Sequence, residues 1–172
     1  MPRRLYLFLE GNDDERFFSH VLLPLLIRKY SDIRFIQYAE DQPKETNKFL
    51  KSISSSGDEV IFVKDIHDAP CVTASKMKVT SKYKVNKNDI AIVVKEIECW
   101  YLCGLDSHCC RKLGIDRRLG NTDDMTKEDF DSLGPSEVSH IEFMQQILEK
   151  YDIDTGRHRN QSLRYFLRKW VD

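Results

Sequence analysis

Hydrophobic positions in the first half of the chain form four short runs. They cover Leu5 to Leu9, Ile33 to Tyr38, Val60 to Val63 and Ile90 to Val94. Three of the runs are nearly continuous, which is typical of strands buried on both faces of a parallel sheet, whereas Ile33 to Tyr38 alternates with polar residues. The pattern therefore predicts four strands.

Each predicted strand is followed by a segment with helical spacing. These segments lie near residues 13–26, 44–54 and 71–82 and from Ile97 onward, and Pro24 should kink or split the first of them. Strands that alternate with helices favour parallel pairing through right-handed crossovers. We therefore expect an α/β fold with a mostly parallel sheet of about four strands flanked by helices.

The pattern changes to mostly helical beyond Gly120. It predicts helices from Ser136 to Tyr151 and from Ser162 to Trp170, separated by a loop from Asp154 to Gln161. We interpret residues 1–172 as one domain, with a core at 1–105 and a helical C-terminal extension at 106–172. A chain of 172 residues is long enough for one such domain and its core.

Composition favours a folded protein that stays in the cytoplasm. Hydrophobic residues make up 41% of the chain and charged residues 32%, which is ordinary for a globular protein. The longest apolar run, Val21 to Ile27, is too short to span a membrane, and no signal-peptide pattern follows Met1 to Arg4. We therefore expect no membrane partner. The pattern does not indicate an oligomeric state.

The net charge of −1 offers no overall basic surplus, so any contact with nucleic acid must be local. Basic residues crowd the C-terminal segment and offer one such surface: Arg157, Arg159, Arg164, Arg168 and Lys169. Tyr165, Phe166 and Trp170 beside them have the spacing of core residues rather than of platforms for stacked bases.

Acidic residues follow three of the predicted strands. Glu10 comes after the first, Asp65 and Asp68 after the third, and Glu96 and Glu98 after the fourth. In a parallel sheet these ends share one edge, where ligands gather. Clustered carboxylates need a cation or a proton between them, and oxygen-rich sites of this kind suit Mg²⁺ or Mn²⁺. The sequence therefore predicts a divalent-metal site.

Each candidate also has a structural interpretation. Acids are commonly solvated or cap helices, which we prefer for Asp13 and Glu15. His67 could be a metal ligand, a proton shuttle or a turn residue. Lys64 and Lys95 flank the acids and could contact phosphate or stabilise charge during a reaction, although exposed lysine is the commoner role.

Cysteines near the fourth strand raise the alternative of a zinc site. Cys99, Cys103, Cys109 and Cys110 accompany His108, but no CxxC pair occurs. Small buried thiols explain this spacing better.

Two motifs resemble those of the Toprim family. Leu5 to Phe17 resembles the first motif, a strand followed by Glu10-Gly11 with an acid, Asp14, four residues after the Glu. Asp65-Ile66-His67-Asp68 resembles the second, an Asp-x-Asp motif. The resemblance implies that Glu10 is an acid/base or metal-linked residue and that Asp65 binds metal.

The second motif departs from the family pattern, because His67 occupies the place of its second Asp and Asp68 lies one further on. The stretch from Ile92 to Leu102 also looks like the Glu-x-x-Trp-Leu element of a small prokaryotic Toprim-like family related to the overcoming-lysogenization-defect nucleases. The likeness covers about residues 5–103 and, loosely, the helical tail.

The leading hypothesis is a Mg²⁺- or Mn²⁺-dependent nuclease or related phosphotransfer protein that acts on DNA or RNA. Its expected metal ligands are Glu10, Asp14, Asp65, Asp68 and Glu98. Glu10 would also act as acid/base with help from His67, and Lys64 or Lys95 would meet the phosphate. The alternative is a non-catalytic Toprim-like module that binds nucleic acid or a partner protein, which the departure at His67 favours.

Overall fold

The structure is a computed structural model that describes residues 3–172. The chain divides into two units, Met1–Val93 and Val94–Asp172. The division therefore falls after the fourth strand, whereas we placed the end of the core at residue 105.

The first unit is built on a parallel sheet of four strands in the order β2-β1-β3-β4. The strands are β1 (Arg4–Leu9), β2 (Asp32–Gln37), β3 (Glu59–Asp65) and β4 (Ile90–Val93). Central strand β1 and the short β4 are almost wholly buried, whereas edge strand β2 is partly exposed throughout. The predicted α/β fold is confirmed, and the alternation in β2 is explained by its edge position.

Helices connect the strands of this unit. They are α1 (Asn12–Phe17), α2 (Leu23–Leu26), α3 (Pro43–Ser56) and α4 (Val72–Lys82). A π-helical turn, Phe18–Leu22, separates α1 from α2 directly ahead of Pro24. The expected split at Pro24 is confirmed, since proline lacks the N–H of a regular turn and its ring crowds the preceding one.

One face of the sheet packs into an aromatic core. Tyr6, Phe8 and Phe62 lie in one cluster of buried residues with Leu50 and Ile53 of α3. Val79 of α4 and Tyr38 and Tyr83 from the connections belong to the same cluster, and the Tyr38 and Phe62 ring centres are 4.3 Å apart. Helices α3 and α4 therefore contribute to the core on the face of the sheet that carries Phe8 and Phe62.

The second unit is helical, as expected beyond Gly120. Its helices are α5 (Glu98–Cys103), α6 (Ser107–Lys112), α7 (Lys127–Leu133), α8 (His140–Leu148), α9 (Ile153–Arg159) and α10 (Gln161–Phe166), followed by a π-helical turn at Leu167–Val171. Trp100, Tyr101, Phe130, Phe143 and Phe166 are fully buried in it. Within residues 3–172, no helix has both the length and the apolar character that a membrane crossing requires.

The predicted loop from Asp154 to Gln161 is wrong, because most of it forms α9. The Asp152 carboxylate caps this helix by accepting a hydrogen bond from the Thr155 N–H (2.8 Å), and Asn160 ends it and caps α10 through the Leu163 N–H (3.0 Å). The two caps make short polar helices possible where the apolar pattern is weak. Helix α8 likewise begins after the Ser139 cap, four residues later than predicted.

Candidate metal centre

The candidate site lies where the strand order of the sheet reverses. Strand β2 lies on one side of β1 and strand β3 on the other, so the connections from β1 and β3 leave a crevice at the carboxyl ends of these two strands. Crevices at such switch points are the usual ligand sites of open α/β sheets. Glu10 follows β1, and Asp65 and His67 lie at and beyond the end of β3.

The strand register explains why Glu10 meets Lys64. Phe8 of β1 pairs with Phe62 of β3, and Glu10 and Lys64 each come two residues later. Because side chains alternate with a period of two, both continue the row of Phe8 and Phe62 towards the carboxyl edge. The aromatic row thus ends in an ion pair, with the Lys64 Nζ atom 2.9 Å from Glu10 Oε1.

Both oxygens of Glu10 are held by the end of β3 and the turn that follows it. Besides Lys64, the Asp65 backbone N–H donates to Oε1 at 2.7 Å. On the other side, His67 Nε2 lies 3.2 Å from Oε2. A carboxylate held by several donors is fixed in orientation, so Glu10 is positioned rather than freely solvated.

His67 lies in a tight turn with an uncommon backbone conformation. Its φ angle is 45°, in the left-handed region that residues other than glycine rarely adopt. The turn is held by a hydrogen bond from the Ile66 N–H to the Val93 carbonyl (2.9 Å) and by another from Ala69 to Ile66 (3.1 Å). Such conformations cluster at functional sites, where the surrounding structure maintains them.

The three side chains fit a divalent ion. Glu10, Asp65 and His67 each offer a ligand atom, and these atoms all lie within 4.8 Å of one another. Two adjacent ligands of an octahedral ion with bonds of about 2.1 Å lie about 3 Å apart, close to the 3.2 Å between Glu10 Oε2 and His67 Nε2. Two carboxylates and one imidazole suit Mn²⁺, which accepts nitrogen more readily than Mg²⁺.

A cavity of about 350 Å³ opens beside this group. Its lining includes Glu10, Lys64, His67 and Asp68 together with Tyr38, Ser75, Lys78, Lys82 and Tyr83. Tyr38 donates its hydroxyl hydrogen to the Val63 carbonyl (2.9 Å), and its pKa is raised mainly by burial and also by the charge of Glu10. The wall of the cavity therefore combines a protonated phenol with lysines and carboxylates.

The other predicted ligands, Asp14, Asp68 and Glu98, do not belong to the group formed by Glu10, Asp65 and His67. Asp14 is buried and accepts a hydrogen bond from the Gly11 N–H (3.2 Å), as a residue in the first turn of α1. Asp68 is exposed and lines the cavity without belonging to the group of three within residues 3–172.

Glu98 and Lys95 belong to the second unit. Glu98 is buried in the first turn of α5, where its Oε1 lies 3.9 Å from His140 Nε2. Lys95 is exposed and has a φ angle of 67°.

The sequence did not point to several of the residues that line the cavity: Tyr38, Ser75, Lys78, Lys82 and Tyr83. Lys78 and Lys82 are one turn apart on α4, and the signal for them was present, because residues 72–88 contain five lysines and no acid. Tyr38 and Tyr83 resemble ordinary core residues in the sequence, and only the fold brings them to the crevice.

Cysteines do not form a zinc site in this structure. Cys99, Cys103 and Cys110 are buried, and burial raises the pKa of Cys103 to about 12. Among residues 3–172, no cysteine belongs to a group of three potential ligand atoms within 4.8 Å of one another. Since zinc binds the thiolate form, these buried thiols are poor ligands.

Comparisons of the chain with protein-family models, with curated proteins and with solved structures gave no significant match. The function must therefore be argued from the site itself.

Proposed function

We propose that this chain is a Toprim-like nuclease, or a related phosphotransfer protein, that depends on Mg²⁺ or Mn²⁺ and acts on nucleic acid. The observation that carries the proposal is the convergence of Glu10, Asp65 and His67 at the switch point of the sheet, with ligand atoms within 4.8 Å of one another. A metal ion held by two carboxylates and a histidine, beside a lysine-lined cavity, would bind a negatively charged phosphodiester.

Glu10, Asp65 and His67 would hold the ion, which would polarise a phosphoryl oxygen and lower the pKa of a bound water. Lys64 would bind the substrate phosphate, because it lines the same cavity and lies beside Glu10. Ion and phosphate together would draw Lys64 away from Glu10. A contact between Glu10 and the ion and a contact between Lys64 and the phosphate would then replace the Glu10–Lys64 ion pair.

His67 has a second capacity that depends on its proton. When its Nε2 carries hydrogen it donates to Glu10 Oε2 at 3.2 Å, and when it is neutral at Nε2 it offers a lone pair. Without an ion, Glu10 Oε2 and His67 Nε2 can share one proton at the cavity wall. An ion bound to both atoms would displace that proton, so the acid/base role and the ligand role of this pair are alternatives. Asp14 is assigned to orienting the turn after Glu10 through the Gly11 N–H.

A second candidate function, a module that binds nucleic acid without cleaving it, is favoured by one observation. Lys64 already neutralises Glu10 at 2.9 Å, so the carboxylate is balanced without a metal ion. A site of this kind could persist as a structural ion pair. Saturable Mn²⁺ binding that Asp65→Asn weakens supports the nuclease, whereas no binding at millimolar Mn²⁺ supports the module.

Cleavage assays test the proposal directly. Labelled single- and double-stranded DNA and RNA would be incubated with Mn²⁺, with Mg²⁺ or with EDTA. We expect cleavage that EDTA abolishes and that Glu10→Gln and His67→Asn each lower by at least about a hundredfold. Asparagine suits position 67 because it tolerates the left-handed backbone.

Glu137→Gln is the matched control, since Glu137 is an exposed carboxylate of the second unit. Cleavage that survives in both Glu10→Gln and His67→Asn would come from a contaminant or from another site, and the proposal would be wrong.

A further inference from the structure

We infer that the exposed lysines of α3, α4 and the segment after α4, here named the lysine surface, bind the phosphate backbone of a nucleic-acid strand. These lysines are Lys44, Lys48, Lys51, Lys78, Lys82, Lys84 and Lys87. The inference rests on the proposed function in one respect, namely that the bound strand leads into the cavity beside Glu10.

Charge along this part of the chain is strongly one-sided. Residues 43–56 carry three lysines and one glutamate, and residues 72–88 carry five lysines and no acid, in a protein whose net charge is −1. Among these seven exposed lysines of the described chain, Lys48 is the one with a carboxylate partner, Glu45 at 2.9 Å. Both side chains of that pair are well exposed, so phosphate can displace the glutamate at little cost.

The lysines of α3 line a groove. A depression of about 480 Å³ is lined by Lys44, Lys48 and Lys51 of α3 with Asn47 and Lys84. The three α3 lysines follow one another by four and three residues, so they lie on one face at steps of about 6 and 4.5 Å along the helix axis. A row of ammonium groups on one face of a helix suits a row of phosphates.

Asn47 joins α3 to the end of α4. Its Nδ2 donates to the Lys82 carbonyl (3.0 Å), and its Oδ1 accepts from the Lys84 N–H (2.6 Å). These bonds fix Lys84 beside the α3 lysines in the groove. Lys82, two residues earlier, lines the cavity that also contains Glu10 and His67. The lysine surface thus runs from the groove to the candidate metal centre within one unit.

Three of the five C-terminal basic residues, the surface suggested by the sequence, bind other groups of the chain through their guanidinium groups. Arg157 makes two hydrogen bonds with the Asp172 carboxylate, and Arg164 donates to the carbonyls of Arg157 (2.9 Å) and His158 (3.0 Å). Arg159 donates to the Leu105 carbonyl. These guanidinium groups hold helix ends in place, so the lysine surface is the better site for a polyanion.

Lysine recognises phosphate as a point charge, without the planar fork with which arginine reads guanine. The expected partner is therefore a strand that is bound through its backbone with little dependence on base sequence. Binding should weaken steeply with salt. A plot of the logarithm of the binding constant against the logarithm of the salt concentration should have a slope of about −0.7 for each phosphate of a single strand that the protein neutralises.

The test is fluorescence anisotropy with labelled single-stranded DNA and RNA oligonucleotides in EDTA, across a series of salt concentrations. In the combined variant Lys44→Gln, Lys48→Gln and Lys51→Gln, the magnitude of this salt slope should fall by about 2. The variant should also bind at least about tenfold more weakly than the wild type at low salt. The control combination is Lys112→Gln, Arg118→Gln and Lys127→Gln, which removes three exposed charges from the second unit. It should stay within about twofold of the wild type.

Equal losses in both combinations would mean that only net charge matters, and would overturn the inference. Polyglutamate that competes as well as the oligonucleotide would also overturn it, because an acidic peptide would then be the fitting partner. Lysine and glutamine have similar helix propensity, so α3 should be retained in the variant. Protection of the lysine surface from acetylation by bound oligonucleotide, measured on the wild type, gives an answer that does not depend on the variant folding.

EDTA keeps the result separate from the nuclease proposal. If the strand binds through the lysine surface but is never cleaved, the nuclease proposal fails and the inference stands. If cleavage is observed while the α3 variant binds and cleaves normally, the inference fails and the nuclease stands.

Discussion

The Lys64 ammonium group lies 2.9 Å from Glu10 Oε1, and about three quarters or more of each side chain is buried. The protein therefore supplies its own positive charge to the carboxylate that we propose as a metal ligand. A divalent cation must compete with this ammonium group, while a substrate phosphate would attract it. Metal and substrate should consequently assist each other's binding.

Lys64→Gln removes the competing charge. We expect the variant to bind Mn²⁺ about fivefold more tightly by isothermal titration calorimetry, because the cation no longer meets a neighbouring ammonium group. Cleavage should nevertheless slow, since a phosphate contact is lost.

Lys48→Gln is the matched control, because Lys48 also pairs with a glutamate at 2.9 Å but on an exposed helix face. Its Mn²⁺ affinity should equal that of the wild type. Weaker Mn²⁺ binding in Lys64→Gln would show that the lysine supports the site rather than competing with the ion.

A buried polar network should stabilise the second unit. Asn160 is fully buried and bonds to the Leu163 N–H (3.0 Å), to Thr122 Oγ1 (3.1 Å) and to the Ser162 hydroxyl (2.9 Å), which in turn accepts from the Trp100 indole (2.8 Å). Asn160→Ala should lower the free energy of unfolding by about 3 kcal/mol in urea denaturation, because several buried partners lose their hydrogen bonds. Asn121→Ala, at an exposed asparagine, should cost less than about 1 kcal/mol. Equal costs would contradict the role of the network.

Thiol reactivity should separate the exposed Cys71 from the three buried cysteines. Cys71 is exposed at the start of α4, whereas Cys99, Cys103 and Cys110 are buried and the pKa values of Cys103 and Cys110 are raised by burial. At pH 8, Ellman's reagent should modify Cys71 in a fast phase that Cys71→Ser abolishes. The three buried thiols should react only when denaturant is added. Fast modification of Cys99, Cys103 and Cys110 in the native protein would contradict their burial.

Acid should destabilise the second unit through its helix caps. Hydrogen bonds from the N–H groups of Thr126 and Ser139 lower the pKa of Asp129 and Glu142, and those from the Thr155 hydroxyl and then the Thr155 N–H lower the pKa of Asp152. A carboxylate whose pKa is lower in the folded state contributes stability above its unfolded pKa, near pH 4, and loses it as the pH falls through the folded value. The free energy of unfolding should therefore fall below about pH 4.

The combination Asp129→Asn and Asp152→Asn should reduce the loss of stability below about pH 4. Much of the capping should remain, because the amide oxygen of asparagine can still accept the hydrogen bonds from the Thr126 and Thr155 N–H groups. The control is Asp124→Asn, at an exposed acid outside the caps. In this variant the free energy of unfolding should fall below about pH 4 as steeply as in the wild type. If the free energy of unfolding falls as steeply below about pH 4 in the double variant as in the wild type, other groups drive the acid unfolding.

The sequence predicted the sheet well because the apolar runs of β1, β3 and β4 leave little room for another interpretation. It also predicted that Glu10 and Asp65 share an edge, since that follows from parallel strands. It did not reveal that Lys64 pairs with Glu10, because this depends on the β1–β3 register, which a short apolar run does not determine. Helix α9 was missed since its polar sequence is stabilised by caps rather than by an apolar stripe.

The placement of a cation among Glu10, Asp65 and His67 is tested most directly by anomalous diffraction from crystals soaked in Mn²⁺. We predict a peak about 2.1 to 2.3 Å from an oxygen of Glu10, an oxygen of Asp65 and His67 Nε2, with Lys64 moved away from Glu10. Crystals with no peak at this position, in which Lys64 still lies 2.9 Å from Glu10 Oε1 as it does here, would contradict the account.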